Sequence, residues 1–282
     1  MPAFFSRQYG FKLIYVVYDI YPDMACRFGY LRENSISTKL FNKVNKYVYS
    51  HCDKIVVLSN EMKQHFVNNI GHSDKLVVIP NWYNNTKQIS KKNSHNDLRI
   101  LYGGNIGIVQ DIDTLCDGII ALRDEKDIKF YFAAHGSKAD KFFLKIKDND
   151  TKTVINKGFM LKSSYDNFLE NVDMAIISID KKVLGLASPS KFYSYISKGV
   201  PIIFIGPKEM DVAQEIINNK IGFVIDNGDV DSFKSILLAV KADKSVLEPM
   251  GVRARELFEK KYTNKICAEK YVSIIQSIKK NE

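Results

Sequence analysis

The chain has 282 residues, 45% of them apolar and 26% charged, and a formal charge of +9. At roughly 100–200 residues per domain this suits one large or two modest globular domains and excludes wholesale disorder. Residues 1–90 hold eleven Lys/Arg against six Asp/Glu, an excess that fits an anionic membrane surface, a phosphorylated substrate, nucleic acid, or simply a solvated basic face.

In chain order, Met1-Pro2-Ala3-Phe4-Phe5-Ser6-Arg7 carries too short an apolar run before its first charge to read as a signal peptide. No stretch of about eighteen apolar residues predicts a membrane-spanning helix. Lys12–Tyr18 (KLIYVVY) is nearly all apolar and predicts a buried parallel strand running into the loop Asp19-Ile20-Tyr21-Pro22-Asp23. Ser37–Ser50 spaces Leu40, Phe41, Val44, Tyr47 and Val48 helically, with Lys39, Lys43 and Lys46 on other faces, and predicts an amphipathic helix. Lys54–Leu58 predicts a second strand. Ser59 then caps a helix with Met62 and Phe66 inward, and Leu76–Ile79 forms a third strand stopped by Pro80-Asn81. Residues 84–97 contain almost nothing apolar and predict a linker.

The alternation then restarts. Strands are predicted at Leu98–Tyr102, Ile128–Ala133, Thr153–Ile155, Met174–Ser178, Ile202–Ile205 and Phe223–Ile225. Helices fill the gaps at Asp113–Arg123, Ser137–Lys147, Ser164–Glu170, Ser190–Ser197, Val212–Asn219 and Asp231–Lys241. This is the pattern of a doubly wound parallel α/β sheet, which binds ligands at the carboxyl ends of its strands near the switch in strand order. From about Pro249 the chain reads as helix. Cys26, Cys52, Cys116 and Cys267 are scattered without metal-ligand or disulfide spacing, and the histidines show no paired motif.

Two loops carry candidate chemistry. In Tyr102-Gly103-Gly104-Asn105-Ile106-Gly107-Ile108-Val109-Gln110-Asp111 the glycines either let a phosphate approach the backbone amides or simply make a tight turn. In Gly185-Leu186-Ala187-Ser188-Pro189-Ser190-Lys191, Ser188 is placed to cap and Pro189 to open a helix closed by Gly199. Its amides and the Ser190 hydroxyl then suit a diphosphate oxygen. Lys191 in the first turn opposes the helix dipole, which makes sense beside an anion; otherwise it is a solvent-facing lysine.

Residues 104–115 (GNIGIVQDIDTL) and 189–201 (PSKFYSYISKGVP) together resemble glycosyltransferase family 4, and more narrowly its bacterial capsule, O-antigen and colanic-acid-type branch. Asp19–Asp23, Ile55–Met62, Val78–Trp82, and Arg253-Ala254-Arg255 with Tyr262 resemble that branch in the same order. The resemblance implies a GT-B-like α/β fold of two Rossmann-like domains facing across a cleft. The expected division is an acceptor-side domain over residues 1–87, a nucleotide-sugar domain over 88–260, and a C-terminal helix over 261–282 packing back on the first. It also implies retaining transfer of a hexosyl or N-acetylhexosaminyl group, without an obligatory metal or other cofactor. The donor would be a UDP-linked sugar and the acceptor lipid-linked or polysaccharide, in the cytoplasm at the inner membrane face. Carried over by position, Asp19, Asn105 and Lys191 take the catalytic roles, with Asp19 by the acceptor or the reacting sugar. Gly104 and Gly107 face the diphosphate and sugar, Ser190 joins Lys191 at the phosphates, and Phe159 and Met160 lie near the base. His135 is either a phosphate contact or a water-exposed loop histidine.

Some positions depart from the family. Its two glutamates fall on Leu186 and Ser194, and Ser194 cannot offer a ribose the bidentate acceptance of a carboxylate. Its usual Arg and Lys fall on Asn105 and Gln110. Roughly 90 residues that precede the first strand in full members have no counterpart here, so the N-terminal domain is expected to be partial, with an open sheet edge and apolar surface that invite a partner chain or oligomer. Against the enzyme stand a non-catalytic nucleotide-binding module or half of a split transferase, and a nucleotide-sugar epimerase on the same fold. A nucleic-acid binder has no recognisable motif to support it.

Overall fold

Two parallel sheets, of three and six strands, organise the computed structural model, which describes residues 2–71, 73–84 and 95–279. The predicted linker lies mostly outside these residues. The first elements are α1 (Pro2–Tyr9), β1 (Ile14–Val17), α2 (Asp23–Arg27), α3 (Ile36–His51), β2 (Lys54–Val57), α4 (Asn60–Asn69) and β3 (Leu76–Val78). Serines start both long helices here: the Ser35 hydroxyl accepts from Thr38 N (3.2 Å), and the Ser59 hydroxyl from Met62 N (3.4 Å). Met62 and Phe66 turn the buried stripe of α4 inward, as their spacing predicts.

After the linker come β4 (Leu98–Asn105), α5 (Ile112–Ile120), β5 (Ile128–His135), α6 (Ala139–Asp148), β6 (Val154–Asn156), α7 (Lys162–Leu169) and β7 (Met174–Ser178). They are followed by α8 (Lys191–Ser197), β8 (Ile202–Ile205), α9 (Asp211–Asn219), β9 (Gly222–Ile225), α10 (Val230–Ala242), α11 (Leu247–Lys261) and α12 (Asn264–Lys279).

The chain divides into two units. The first holds residues 1–82, 182–188 and 262–282, and the second holds 83–181 and 189–261. In the first, β1, β2 and β3 pair in sequence order, so among the described residues β1 bonds on one side only. Its core joins Val56 and Ile79 to Cys267, Ile274 and Ile278 of α12. Several large apolar side chains stay on its surface, including Phe4, Phe5, Tyr9 and Tyr15. The second unit is doubly wound with strand order β6-β5-β4-β7-β8-β9. Its inner strands β7 and β8 are buried on both faces, and Phe130, Phe132, Phe142 and Phe233 fill the core.

Two differences from the predicted elements matter for the site. Gly103, Gly104 and Asn105 are strand, not loop: β4 continues past Tyr102 because Gly103 and Gly104 pair in register with the small Ala133 and Ala134 of an equally long β5. And α8 begins at Lys191, not Ser190. At the far edge, a Cβ on Gly222 would fall 1.9 Å from the Ile202 carbonyl oxygen. Gly222→Ala is therefore expected to destabilise the second unit by about 3 kcal/mol and lower its Tm by roughly 6–12 °C in a thermal melt.

Candidate functional site

In the six-stranded sheet the chain leaves β4 toward β5 on one side and β7 toward β8 on the other, so the switch point is the crevice at the carboxyl ends of β4 and β7. The turn after β4 is clamped from several directions. Ile106 N donates to His135 O (2.7 Å), Lys138 N to Ile106 O (2.9 Å) and Asp180 N to Val109 O (2.9 Å). Gly107 N donates to Gln110 Oε1 (2.8 Å). Asp111 caps α5 from Thr114 N (3.0 Å) and accepts from Asn227 Nδ2 (2.6 Å), while Ser178 Oγ donates to the Asp111 carbonyl (2.6 Å). This web fixes the turn before any ligand arrives.

Beside the turn lies Lys191. Its Nζ sits 4.5 Å from the centroid of the Tyr102 ring, a cation–π contact. Burial around the ammonium pulls its pKa down to about 8, although the residue keeps some exposed surface. Gly104 makes room for it: at φ +95° the backbone is in the glycine-favoured region, and a Cβ there would lie 2.7 Å from Lys191 Cε. Among the described residues no carboxylate pairs with Lys191. One face of Gly103 is occupied by Tyr165, whose Oη donates to Tyr195 Oη (3.3 Å). A Cβ on Gly103 would fall 2.1 Å from that Tyr165 Oη. Burial pushes both phenols up, Tyr195 to about 12, so both are neutral at physiological pH.

The register pairs Asn105 with His135, bringing both to the same end of neighbouring strands, and both are exposed. Asn105 reaches toward the Gly136 backbone, where a Cβ would lie 2.2 Å from its Oδ1. The His135 ring lies 6.2 Å, edge-on, from that of Phe159, which is 74% exposed; Met160 follows it, half-buried. Gly104, Asn105, His135 and Lys191 thus share the carboxyl edge of β4 and β5, with Phe159 at its rim.

Other expected residues are placed differently. Gly107 is buried, and its amide is taken by Gln110. Ser188 does not cap α8: Ser190 is the preceding residue, it has helical dihedrals, and its side chain makes no capping bond. Ser194 Oγ donates back to the Lys191 carbonyl (2.9 Å). Lys191 does not face open solvent as the simpler sequence reading had it. Asp19 belongs to the first unit, where it bridges Ala187 and where Ile20 N donates to Leu186 O (2.9 Å). The Asp19 side chain is exposed, but partial burial of its carboxyl raises its pKa. Leu186, at a position where the family carries a glutamate, is fully buried.

The sequence did not single out Tyr102, Tyr165 and Tyr195, nor Gln110 as a brace for the turn. Nor did it reveal that Arg27 Nη1 anchors the 182–188 segment by donating to Lys182 O (3.0 Å) and Leu184 O (2.7 Å). The only signal for that anchor was Gly185, whose missing Cβ would lie 3.2 Å from the Glu61 carbonyl oxygen.

Residues 1–87 match the sequence profile described as Glycosyltransferase Family 4. A relative named "Probable glycosyltransferase WbjE", from Pseudomonas aeruginosa, is 22% identical over 282 residues, covering 95% of this chain and 69% of its own length. A solved structure of a mutant S. aureus TarM in complex with fondaparinux, alpha-GlcNAc-glycerol and UDP superposes with TM-score 0.66 at 19% identity, covering 82% of this chain. The chain spans 46% of that TarM chain, less than half its length. Anabaena HepE in complex with UDP superposes with TM-score 0.76 at 14% identity, covering 98% of this chain and 75% of its own. At these identities the structures establish the fold, two Rossmann-like units of the GT-B class. The profile match over residues 1–87 and the likeness to WbjE across 95% of this chain together support a glycosyltransferase of family 4.

Proposed function

We propose that this chain transfers a sugar from a UDP-linked donor to a lipid-linked or polysaccharide acceptor during assembly of a cell-surface glycan, working at the inner face of the cell membrane. The observation that carries the reading is a buried ammonium without a paired carboxylate among the described residues, set against bare glycine backbone at the switch point. A cation kept partly out of water and unpaired is costly unless an anion completes it, and a diphosphate is such an anion. Lys191 would neutralise charge developing on the leaving diphosphate, Asn105 and His135 would hydrogen-bond the donor's polar groups, and Phe159 with Met160 would cover the base. Asp19 would serve the acceptor side. Transfer is read as retaining, with a hexosyl or N-acetylhexosaminyl group as cargo. The UDP complex of HepE and the UDP and glycan complex of TarM support a nucleotide and a glycan as ligands.

The direct test is calorimetry with UDP and a panel of UDP-sugars, followed by transfer assays in which the product's anomeric configuration is read by NMR. UDP binding without turnover would move the reading to a nucleotide-binding module or half of a split enzyme, and no binding would end both. The same titration should depend on pH. Lys191 carries its charge below about pH 8, so UDP affinity should fall as pH rises from about 7 to about 9.5, with binding drawing in a proton at the upper end. A flat profile would mean that this ammonium does not meet the diphosphate.

A further inference from the structure

Helix α3 carries two apolar faces, and only one is used inside the first unit. Thr38 and Tyr49 are buried. On the opposite side Ile36, Leu40, Val44 and Tyr47, spaced one helical turn apart, are 86%, 62%, 44% and 40% exposed. Helical spacing sets Lys39, Lys43 and Lys46 along one border of this stripe, and all three are exposed. Among the described residues none of the three pairs with a carboxylate, and α3 itself contains no Asp or Glu. Phe41 lies exposed on the other border, and the neighbouring α1, packed against α3, adds exposed Phe4, Phe5 and Tyr9. A helix that only had to cover its sheet would present polar residues on this outer side.

The geometry points to a specific occupant: α3 lies along an anionic phospholipid surface, with Ile36, Leu40, Val44 and Tyr47 in the boundary between headgroups and acyl chains and Lys39, Lys43 and Lys46 on lipid phosphates. Charge complementarity selects this occupant. Two copies meeting through α3 would bring lysine rows together with no acid to balance them, whereas an anionic bilayer satisfies stripe and border at once. No helix among the described residues is long and apolar enough to cross a membrane, so the contact is one of lying on the surface. The inference rests on the peripheral-membrane part of the function proposed above and not on its donor chemistry.

The test is vesicle co-sedimentation of the full chain. Phosphatidylcholine vesicles are compared with vesicles containing phosphatidylglycerol as well, at low and high salt. The expected result is binding to the anionic vesicles alone, weakened by salt. The triple variant Lys39→Glu/Lys43→Glu/Lys46→Glu should lose about a hundredfold in affinity. Leu40→Ser/Val44→Ser should lose binding without regaining it at low salt. These positions are exposed, and circular dichroism checks that each variant is folded. Absence of vesicle binding, binding indifferent to both variants, or wild-type dimers that Leu40→Ser/Val44→Ser converts to monomers would each overturn the proposal. UDP calorimetry on the same proteins keeps the two questions apart: vesicle binding without UDP binding would defeat the donor reading alone, and the reverse would defeat this one alone.

Discussion

Lys191→Met is expected to make the protein more stable and a poorer binder of UDP. Burial lowers the Lys191 ammonium from its ordinary 10.5 to about 8. Between those values the unfolded chain binds the proton more tightly than the folded one, so this group's contribution to stability rises as pH increases from about 8 to about 10.5 and is least favourable below that window. Methionine matches the aliphatic stem without the charge. After allowance for the lost Tyr102 contact and for the residue's partial exposure, the gain at neutral pH should be about 1–3 kcal/mol, or roughly 3–8 °C in Tm. Donor affinity should fall by about 1.5–3 kcal/mol, some ten- to a hundredfold. Thermal melts at two pH values and UDP titrations on one preparation read both effects. If UDP affinity is unchanged, Lys191 belongs to packing, whatever its effect on stability.

Gly103→Ala should act in the opposite sense, harming both stability and site. The new methyl would overlap the hydroxyl end of Tyr165, with ring carbons Cε2 and Cζ also within 2.7 Å of the new Cβ. Tyr165 is held by its bond to Tyr195, itself buried, so it has little freedom to retreat. A loss of about 2–4 kcal/mol is expected. Tyr165→Ala alone removes a large part-buried ring, yet it also removes the obstacle. The double variant should therefore be less destabilised than the two single losses summed, by about 1 kcal/mol or more. Strict additivity in chemical denaturation would show that the tyrosine does not occupy the space that Gly103 keeps open.

The second unit was legible because its strands announce themselves. Met174–Ser178 and Ile202–Ile205 have the predicted boundaries, being short apolar runs bounded by polar or turn residues. Errors came where small residues extended a strand. Gly103 and Gly104 read as a turn by composition, but register with Ala133 and Ala134 keeps them in the sheet. The glycine turn and Lys191 were found in the sequence because each is a local anomaly: a cluster without side chains, and a cation where the helix dipole disfavours it. The tyrosines beside them were not found, since Tyr102, Tyr165 and Tyr195 are far apart in sequence and individually look like ordinary core. By sequence Gln110 only stands where the family's usual lysine falls, whereas its side-chain carbonyl oxygen holds the Gly107 amide.

The division of the chain bears on the order in which it can fold. Val56 and Ile79 of the first unit complete their core with Cys267, Ile274 and Ile278, nearly two hundred residues later in synthesis. As the polypeptide leaves the ribosome, the six-stranded sheet has all its strands by Ile225 and is free to close first. The earlier-made strands wait with apolar surface uncovered until α12 emerges. The first unit's strands are thus made before the six-stranded sheet and completed after it, and over that interval they depend most on chaperones or on a covering surface.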